Sequence, residues 1–365
     1  MKILFICNSS GSVIGFRGKL IEKMQECGHQ ISAIAFDDKC KEEIEQRDIE
    51  FFCLKDKNRG VNPFKILLLK SKYKKLIKEI QPDIIFTSML KPNTFGVFAS
   101  RSCKIKDIYC MMDGAGDVFI NNSFKWKIIR FVVCSLYKKA FKCAKKVFFL
   151  NNDDKIDFVN RKIVSESKCE VVLGVGIDLE RFAFKPLKNH KTFLMIARML
   201  KTKGVFEYCK AARLVKQKYP DATFNYIGAE GTVKLADIKE YIDDGSVNYL
   251  GTTKDVRPYI EDCTVHILPS YREGQGQVSV EAGAIGRALI VCDTNGSRDT
   301  VKKDYNGFLV DVGNVEQIVD KVIWYIENPE KTEEMGKNAR LYAEENFDQK
   351  EINQKIMTIT GLLNN

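Results

Sequence analysis

The stretch Pro269-Ser-Tyr-Arg-Glu-Gly-Gln-Gly-Gln-Val-Ser-Val-Glu-Ala282 carries two glutamates eight residues apart, Glu273 and Glu281. The apolar run before it, residues 264–268, predicts a buried strand. The proline and serine that open the stretch end this strand, its glycines predict a loop, and the apolar residues that follow predict a helix. One carboxylate therefore lies in the loop at the carboxyl end of a strand, which is where open α/β sheets bind ligands. The other lies inside the helix that follows.

The chemistry of this stretch suits a sugar joined to a diphosphate. A helix N-terminus binds phosphate groups through its free N–H donors, and a carboxylate accepts hydrogen bonds from the paired hydroxyls of a ribose or a hexose. Arg198 and Lys203 follow another predicted strand, Thr192–Ile196, and two such cations can neutralise a diphosphate. The sequence contains no Asp-x-Asp, which argues against a metal ion at the phosphates. These residues together predict a nucleotide-sugar site.

The length and the pattern of the chain predict two α/β domains. At 365 residues it exceeds what one hydrophobic core usually serves. Strand-like and helix-like segments alternate in both halves, as parallel sheets with crossover helices require. The polar segment Lys185–Lys191 is the expected linker. No apolar run approaches the roughly 18 residues that cross a bilayer, and the first residues do not form a signal peptide, so a cytoplasmic location is expected.

The twelve cysteines are scattered singly and form no C-x-x-C pair. This pattern indicates buried free thiols and no metal site. The net charge of +10 comes from residues 51–150, which contain 21 Lys and Arg against 6 Asp and Glu. The excess lies on two predicted amphipathic helices, at residues 65–80 and 124–146. Basic helices of this kind suit anionic lipid headgroups. Their aromatic residues lie in the apolar stripes, which argues against nucleic acid.

The order of these motifs resembles the retaining glycosyltransferases of family 4. Beyond Arg198, Lys203 and the pair of glutamates, the resemblance rests on several segments: Phe16-Arg17, Lys91-Pro-Asn-Thr-Phe-Gly96, Gly114-Ala-Gly-Asp-Val-Phe119, Phe148-Phe-Leu-Asn-Asn152 and Gly174-Val-Gly-Ile-Asp-Leu-Glu-Arg-Phe182. These are similar to the bacterial branch that extends undecaprenyl-diphosphate-linked oligosaccharides, including the N-acetylgalactosaminyltransferase of N-glycan assembly.

The resemblance implies the GT-B fold, with two doubly wound Rossmann-like parallel-sheet domains that face a central cleft. Residues 1–184 are then the acceptor-binding domain and residues 185–345 the domain that binds the nucleotide sugar. Residues 346–365 form a C-terminal helix that crosses back to the first domain.

The resemblance also assigns roles to individual residues. Arg198 and Lys203 hold the diphosphate, Glu281 holds the ribose, and Glu273 with the loop after it holds the donor sugar. Asp113 stands near the place where many family members have a catalytic histidine. The catalytic set is Glu273, Arg198, Lys203 and Asp113. The other donor-binding residues are Gly15, Gly228, Tyr249, Leu250, Gly274, Gln275, Gly276, Gln277 and Val278. The acceptor-binding residues are Phe16, Arg17, Lys91 and Asn93.

The expected activity is transfer of a hexose or N-acetylhexosamine, with retention, from a UDP-sugar to a polyprenyl-diphosphate-linked saccharide. The product is α-linked, no metal or other cofactor is expected, and the enzyme docks on the anionic inner face of the plasma membrane. Two alternatives are a non-catalytic nucleotide-sugar-binding subunit and a nucleotide-sugar epimerase of the same fold. His266 lies in an apolar strand and is interpreted as a core residue.

Overall fold

The structure is a computed structural model that describes residues 1–55, 63–114, 116–119, 123–188 and 190–363. The chain forms two compact units. The first contains Met1–Val175 and Lys350–Asn365, and the second contains Gly176–Gln349. Each unit has one parallel β-sheet with helices in the crossover connections.

The sheet of the first unit has seven strands in the order β3-β2-β1-β4-β5-β6-β7. Its strands are β1 Lys2–Ile6, β2 Gln30–Ala35, β3 Glu50–Cys53, β4 Ile84–Ser88, β5 Asp107–Met112, β6 Lys146–Phe149 and β7 Cys169–Val171. Its helices are α1 Ser10–Gly15, α2 Gly18–Glu26, α3 Lys41–Glu45, α4 Pro63–Ile80, α5 Val97–Ser102, α6 Phe124–Cys143 and α7 Asn152–Asn160. The sequence did not predict the short strands β3 and β7, which form the two edges of the sheet by pairing with β2 and β6.

The sheet of the second unit has six strands in the order β10-β9-β8-β11-β12-β13. Its strands are β8 Thr192–Ile196, β9 Thr223–Ile227, β10 Asn248–Tyr249, β11 Val265–Leu268, β12 Ala288–Cys292 and β13 Gly307–Val310. Its helices are α8 Val205–Lys218, α9 Lys239–Asp243, α10 Arg257–Asp262, α11 Gln277–Ile285, α12 Val315–Glu327 and α13 Pro329–Phe347. The strand order reverses between β8 and β11, and such a switch point is where a doubly wound sheet binds its ligand.

The last helix, α14 Gln349–Thr360, is separate from α13 because Asp348 leaves the helical conformation. The sequence predicts one helix here. The buried side chains Ile352, Ile356 and Met357 belong to the same apolar cluster as β1 residues of the first unit. The C-terminal residues therefore complete the core of the first unit.

The units divide after Val175, nine residues before the expected boundary at residue 184. The segment that follows is hydrogen-bonded into the second unit: the amide of Ile177 donates to Phe347 and that of Lys185 donates to Ile285. The buried guanidinium of Arg287 also binds the carbonyls of Lys185 and Pro186. The predicted linker is therefore fixed to the second unit.

Candidate functional site

The loop of Glu273 lies at the carboxyl end of β11, as the sequence predicts. The buried strand β11 ends at Leu268, and Gly276, with φ of 77°, directs the chain into α11. The loop is bonded to the neighbouring connection after β8, because the amide of Tyr271 and the hydroxyl of Ser270 both donate to the carbonyl of Thr202. The switch point therefore joins two loops that are about seventy residues apart in sequence.

A close backbone approach fixes this junction. Gly204 has φ of +74°, and a Cβ atom added there would lie 2.1 Å from the carbonyl oxygen of Pro269. No side chain can occupy that space, and the left-handed conformation also favours glycine. The two loops consequently run in direct contact beside Lys203 and Glu273.

Lys203 and Glu273 form an ion pair, with 2.5 Å between Nζ and Oε1. Their side chains are 23% and 11% exposed, so the pair lies at the edge of solvent. Two of the four predicted catalytic residues are thus brought together directly.

Arg198 lies after the carboxyl end of β8 and is exposed. Within the described residues its side chain makes no hydrogen bond or ion pair, which leaves all five guanidinium donors for a ligand. Its backbone is fixed, because Gly228 packs against Ala197 and a Cβ atom at Gly228 would lie 1.7 Å from the carbonyl oxygen of Ala197. Arg198 therefore has a fixed backbone and an exposed, charged side chain.

Glu281 lies one turn into α11 and is partly buried. Burial raises the pKa of Glu281 to about 7, while a hydrogen bond with Gln277 and the charge of Arg181 oppose the rise. The side-chain amide of Gln277 also donates to the carbonyl of Gly176 at 3.1 Å. Near neutral pH this carboxyl group therefore exchanges readily between the neutral acid and the carboxylate.

The first turn of α11 contains Gln277 and Val278, whose N–H groups stand where a helix has no internal acceptor. Gln275 and Gly276 before it are buried, and Gly274 is partly buried. A helix N-terminus carries a partial positive charge. The predicted donor loop thus ends on a feature that attracts an anion.

The remaining residues of the second unit that were predicted to bind the donor lie together at the ends of β9 and β10. The hydroxyl of Tyr249 donates to the carbonyl of Gly228 at 2.9 Å, and the amide of Gly228 donates to Gly251 at 2.9 Å. Leu250 is exposed. These contacts form a rigid edge beside Arg198.

In the first unit, Arg17 and Asp113 form a direct ion pair. The two side chains are only 3% and 7% exposed. They lie beside Cys7 at the end of β1: burial raises the pKa of the Cys7 thiol to about 11, and the charge of Arg17 opposes this rise. The sequence assigned Arg17 to the acceptor and Asp113 to catalysis, and the structure pairs them with each other.

The other residues of the first unit that were predicted to bind donor or acceptor lie in different environments. Gly15 and Phe16 are exposed at the end of α1, and the ammonium group of Lys91 lies 5.3 Å from the centre of the Phe36 ring. Asn93 is fully buried, and its amide donates to the carbonyl of Met111. No atom of Asn93 reaches the surface, so the structure does not support its expected contact with the acceptor. The motif Gly114–Phe119 is described except for Ala115, which lies outside the described residues.

Tyr271 and Glu207, which the sequence did not single out, also support the site. The hydroxyl of Tyr271 donates to Oε1 of Glu207 at 2.8 Å and so connects the Glu273 loop to the first turn of α8. Its place inside the quoted stretch was the only signal. His266 is buried in β11, and burial lowers the pKa of its imidazole to about 3, which agrees with a core residue.

Comparisons with known proteins identify the family and the fold of the chain. The family model described as Glycosyl transferase 4-like matches residues 2–151, and the model Glycosyl transferases group 1 matches residues 177–342. The chain is 28% identical over 353 residues to the Campylobacter jejuni N,N'-diacetylbacillosaminyl-diphospho-undecaprenol alpha-1,3-N-acetylgalactosaminyltransferase, with 93% of each chain covered.

It is 26% identical over 285 residues to the Escherichia coli UDP-Gal:alpha-D-GlcNAc-diphosphoundecaprenol alpha-1,3-galactosyltransferase, covering 73% of this chain and 72% of that one. Its fold resembles that of Anabaena HepE in complex with UDP and glucose, with a TM-score of 0.80, 21% identity and full coverage of both chains. Each unit of the chain has the doubly wound sheet of such enzymes. The chain therefore belongs to the glycosyltransferases of the GT-B fold, as its resemblance to family 4 predicts.

Proposed function

We propose that this glycosyltransferase transfers a hexose or an N-acetylhexosamine from a UDP-sugar to a polyprenyl-diphosphate-linked saccharide, with retention of the anomeric configuration. The observation that carries the proposal is the junction at the β8/β11 switch point, where Lys203 is paired with Glu273 and the exposed guanidinium group of Arg198 has no partner among the described residues. Relatives whose names specify diphospho-undecaprenol acceptors support the acceptor class.

In this mechanism Arg198 and Lys203 bind the donor diphosphate. Negative charge grows on the diphosphate as its bond to the anomeric carbon breaks, and fixed cations stabilise that charge most strongly in the transition state. The acceptor hydroxyl attacks from the same face, and a phosphate oxygen of the leaving group takes its proton. The protein then acts by positioning and charge stabilisation, and Asp113 need not serve as a base.

The two carboxylates have separate tasks in this proposal. Glu281, in its ionised form, accepts hydrogen bonds from the ribose hydroxyls. Glu273 shares its charge with Lys203 and presents its remaining lone pairs to the donor sugar. The N–H groups at the start of α11 add donors for the sugar or the phosphate. Arg198, Lys203 and these N–H groups supply the positive charge that a metal ion supplies in other enzymes. The reaction is therefore proposed to be metal-independent.

The proposed acceptor is a membrane lipid, so the enzyme acts at the inner face of the plasma membrane. Among the described residues, no helix has the length and apolarity needed to cross a membrane. Helices α4 and α6 carry the basic excess of the sequence, and this charge favours peripheral binding to anionic lipid.

The test is a transfer assay with purified protein, a panel of UDP-sugars and a synthetic short-prenyl diphosphate saccharide that dissolves in water. We expect one donor to be consumed only when acceptor is present, an α-linked product by NMR, and unchanged turnover in excess EDTA. Donor consumption without acceptor would identify an epimerase. Binding without turnover would identify a nucleotide-sugar-binding subunit.

A further inference from the structure

Helix α6 buries one side and leaves a second apolar side bare. Its buried residues Val133, Tyr137, Ala140 and Phe141 pack in the core of the first unit. Large apolar residues on the other side are exposed: Phe124 by 78%, Ile128 by 52%, Phe131 by 77% and Val132 by 43%. The sequence predicts an amphipathic helix whose basic residues suit anionic lipid headgroups, and it does not predict an exposed apolar side, so this apolar surface is a finding of the structure.

The exposed residues form one continuous stripe. Successive residues of an α-helix are rotated by about 100°, so positions 124, 128, 131 and 132 fall within roughly 100° of arc. Lys138, Lys139 and Lys142 continue the same side toward the end of the helix, and all three are exposed. The outer face of α6 is therefore apolar in its first turns and basic in its last turns.

The charge of α6 selects among the possible occupants of this face. The helix contains six basic residues and no acidic one, so the same face on a second copy of the chain would be repelled. An anionic lipid surface offers hydrocarbon for the apolar turns and phosphates for the lysines, which is the chemistry that interfacial helices use. Large exposed apolar patches on a soluble surface mark such contacts.

The position of the stripe connects it to the site of the first unit. Helix α6 follows the carboxyl end of β5 and precedes the amino end of β6, so it runs antiparallel to the strands. Its first turns consequently lie toward the carboxyl edge of the sheet, the edge that carries Asp113 and Arg17. The apolar end of the stripe is the end nearer to that edge.

We propose that the first turns of α6 insert Phe124, Ile128, Phe131 and Val132 into the headgroup–acyl boundary of an anionic bilayer, with the three lysines at the lipid phosphates. Insertion brings the carboxyl edge of the first unit toward the membrane surface, where a lipid-linked saccharide emerges. The inference rests on the proposed function for its physiological role, and it adds an inserted apolar surface to charge attraction alone.

Vesicle binding tests the insertion. Wild-type protein should bind vesicles that contain phosphatidylglycerol, and Phe131→Ser should weaken the partition coefficient by roughly tenfold or more, since a phenylalanine loses the transfer of its whole ring. The matched control is Leu341→Ser, because Leu341 is 48% exposed on α13 of the second unit and should change nothing. Lys139→Gln should weaken binding severalfold, with a smaller salt dependence. If Phe131→Ser bound vesicles as tightly as the wild type while Lys139→Gln lost vesicle binding, the protein would adsorb by charge alone. That result would overturn the inference.

A fluorescent reporter tests depth directly. The two tryptophans, Trp126 and Trp324, are replaced by phenylalanine, and Phe131→Trp supplies a single probe on the stripe. Its emission should shift to the blue on vesicles and be quenched by acyl-chain bromines, whereas a single Leu341→Trp probe should show neither effect. Circular dichroism verifies the fold of each variant. A blue shift that appears without lipid and follows protein concentration would identify self-association and overturn the inference.

The two proposals fail differently. Transfer to the water-soluble acceptor with no vesicle insertion would refute the inserted helix and leave the proposed function standing. Vesicle insertion with no transfer to any acceptor would refute the proposed function, while the membrane-binding surface would remain established.

Discussion

The two units carry an ion pair at the same edge of their sheets, and the two pairs differ in burial. Arg17 and Asp113 of the first unit are almost completely enclosed, while Lys203 and Glu273 of the second unit lie at the edge of solvent, and the exposed Arg198 stands a few residues before Lys203 in the chain. An enclosed pair satisfies its own charges and fixes the structure around it. A pair at the edge of solvent can exchange partners with an anionic ligand. The open charges therefore support the proposal that the donor binds in the second unit.

The largest effect should come from the enclosed pair and should appear in stability. Arg17→Ala leaves the carboxylate of Asp113 buried without its partner, which typically costs about 3–5 kcal/mol of unfolding free energy. Denaturant titration measures this loss. Arg47→Ala is the matched control, because Arg47 forms only partly exposed pairs with Glu22 and Glu43 and should cost about 0–1 kcal/mol.

The double variant Arg17→Met with Asp113→Leu should recover part of the stability, because both charges then leave the apolar surroundings. A loss below about 1 kcal/mol for Arg17→Ala would show that water reaches Asp113. In that case the contrast between the two pairs would not hold.

The open pair should affect catalysis more than stability. Lys203→Ala should lower turnover by on the order of a hundredfold or more, because it removes a cation from the leaving diphosphate. Steady-state kinetics at saturating donor measures the effect. Lys201→Ala is the control, since Lys201 is exposed in the same turn. Near-normal turnover of Lys203→Ala would contradict the role assigned to this lysine.

Donor affinity should depend on pH through Glu281. The pKa of Glu281 in the folded protein is about 7, so the carboxyl group takes up a proton as the pH falls below 7 and becomes a poorer acceptor for ribose hydroxyls. The Kd for UDP should rise by roughly tenfold between pH 8 and pH 6, as expected for a single titrating group. Calorimetry measures it, and Glu281→Gln should flatten the dependence. An equally steep dependence in that variant would assign the titration to another group.

The same pKa has a consequence for stability. The unfolded chain releases this proton near its usual pKa of 4.5, whereas the folded protein holds it up to about pH 7. The folded state therefore binds more protons between these values. Glu281 accordingly favours the folded state at acid pH, and that contribution is lost as the pH rises through 7.

The smallest effect should come from the hydrogen bond between Tyr271 and Glu207 that supports the Glu273 loop. Tyr271→Phe removes the hydrogen bond to Glu207, worth about 0.5–1.5 kcal/mol. We expect KM for the donor to rise severalfold while kcat stays near normal, because the loop loses a fixed position and no reacting group is removed. A change confined to kcat would assign Tyr271 to the chemical step.

The sequence was sufficient to predict the fold class and the position of the Glu273 loop. Buried strands followed by glycine-containing loops identify the carboxyl edge locally, so the Lys203 and Glu273 segments could be placed without long-range information. The burial of individual polar side chains could not be predicted from the local sequence in the same way. Asn93 and Arg17 occupy loop-like positions in the sequence, yet their side chains turn inward to partners about 18 and 96 residues away.

The bare face of α6 escaped prediction for a related reason. Apolar residues on both sides of a helix look like one broad apolar stripe, and only the packing shows which side the sheet covers. The domain boundary was misplaced because the polar composition of Lys185–Lys191 indicates a linker, whereas the backbone bonds of Ile177 and Lys185 join this segment to the second unit.

The glycine at position 204 limits how the site can adapt to a ligand. The backbone there passes so close to Pro269 that any side chain would force the two loops apart, and a library of all residues at this position should return only glycine among active clones. With the loops held at that spacing, adjustment to different sugars falls to the side chains proposed to meet the sugar, above all Glu273. Changing donor preference by engineering should then start from side chains of the Glu273 loop and leave the backbone at Gly204 untouched.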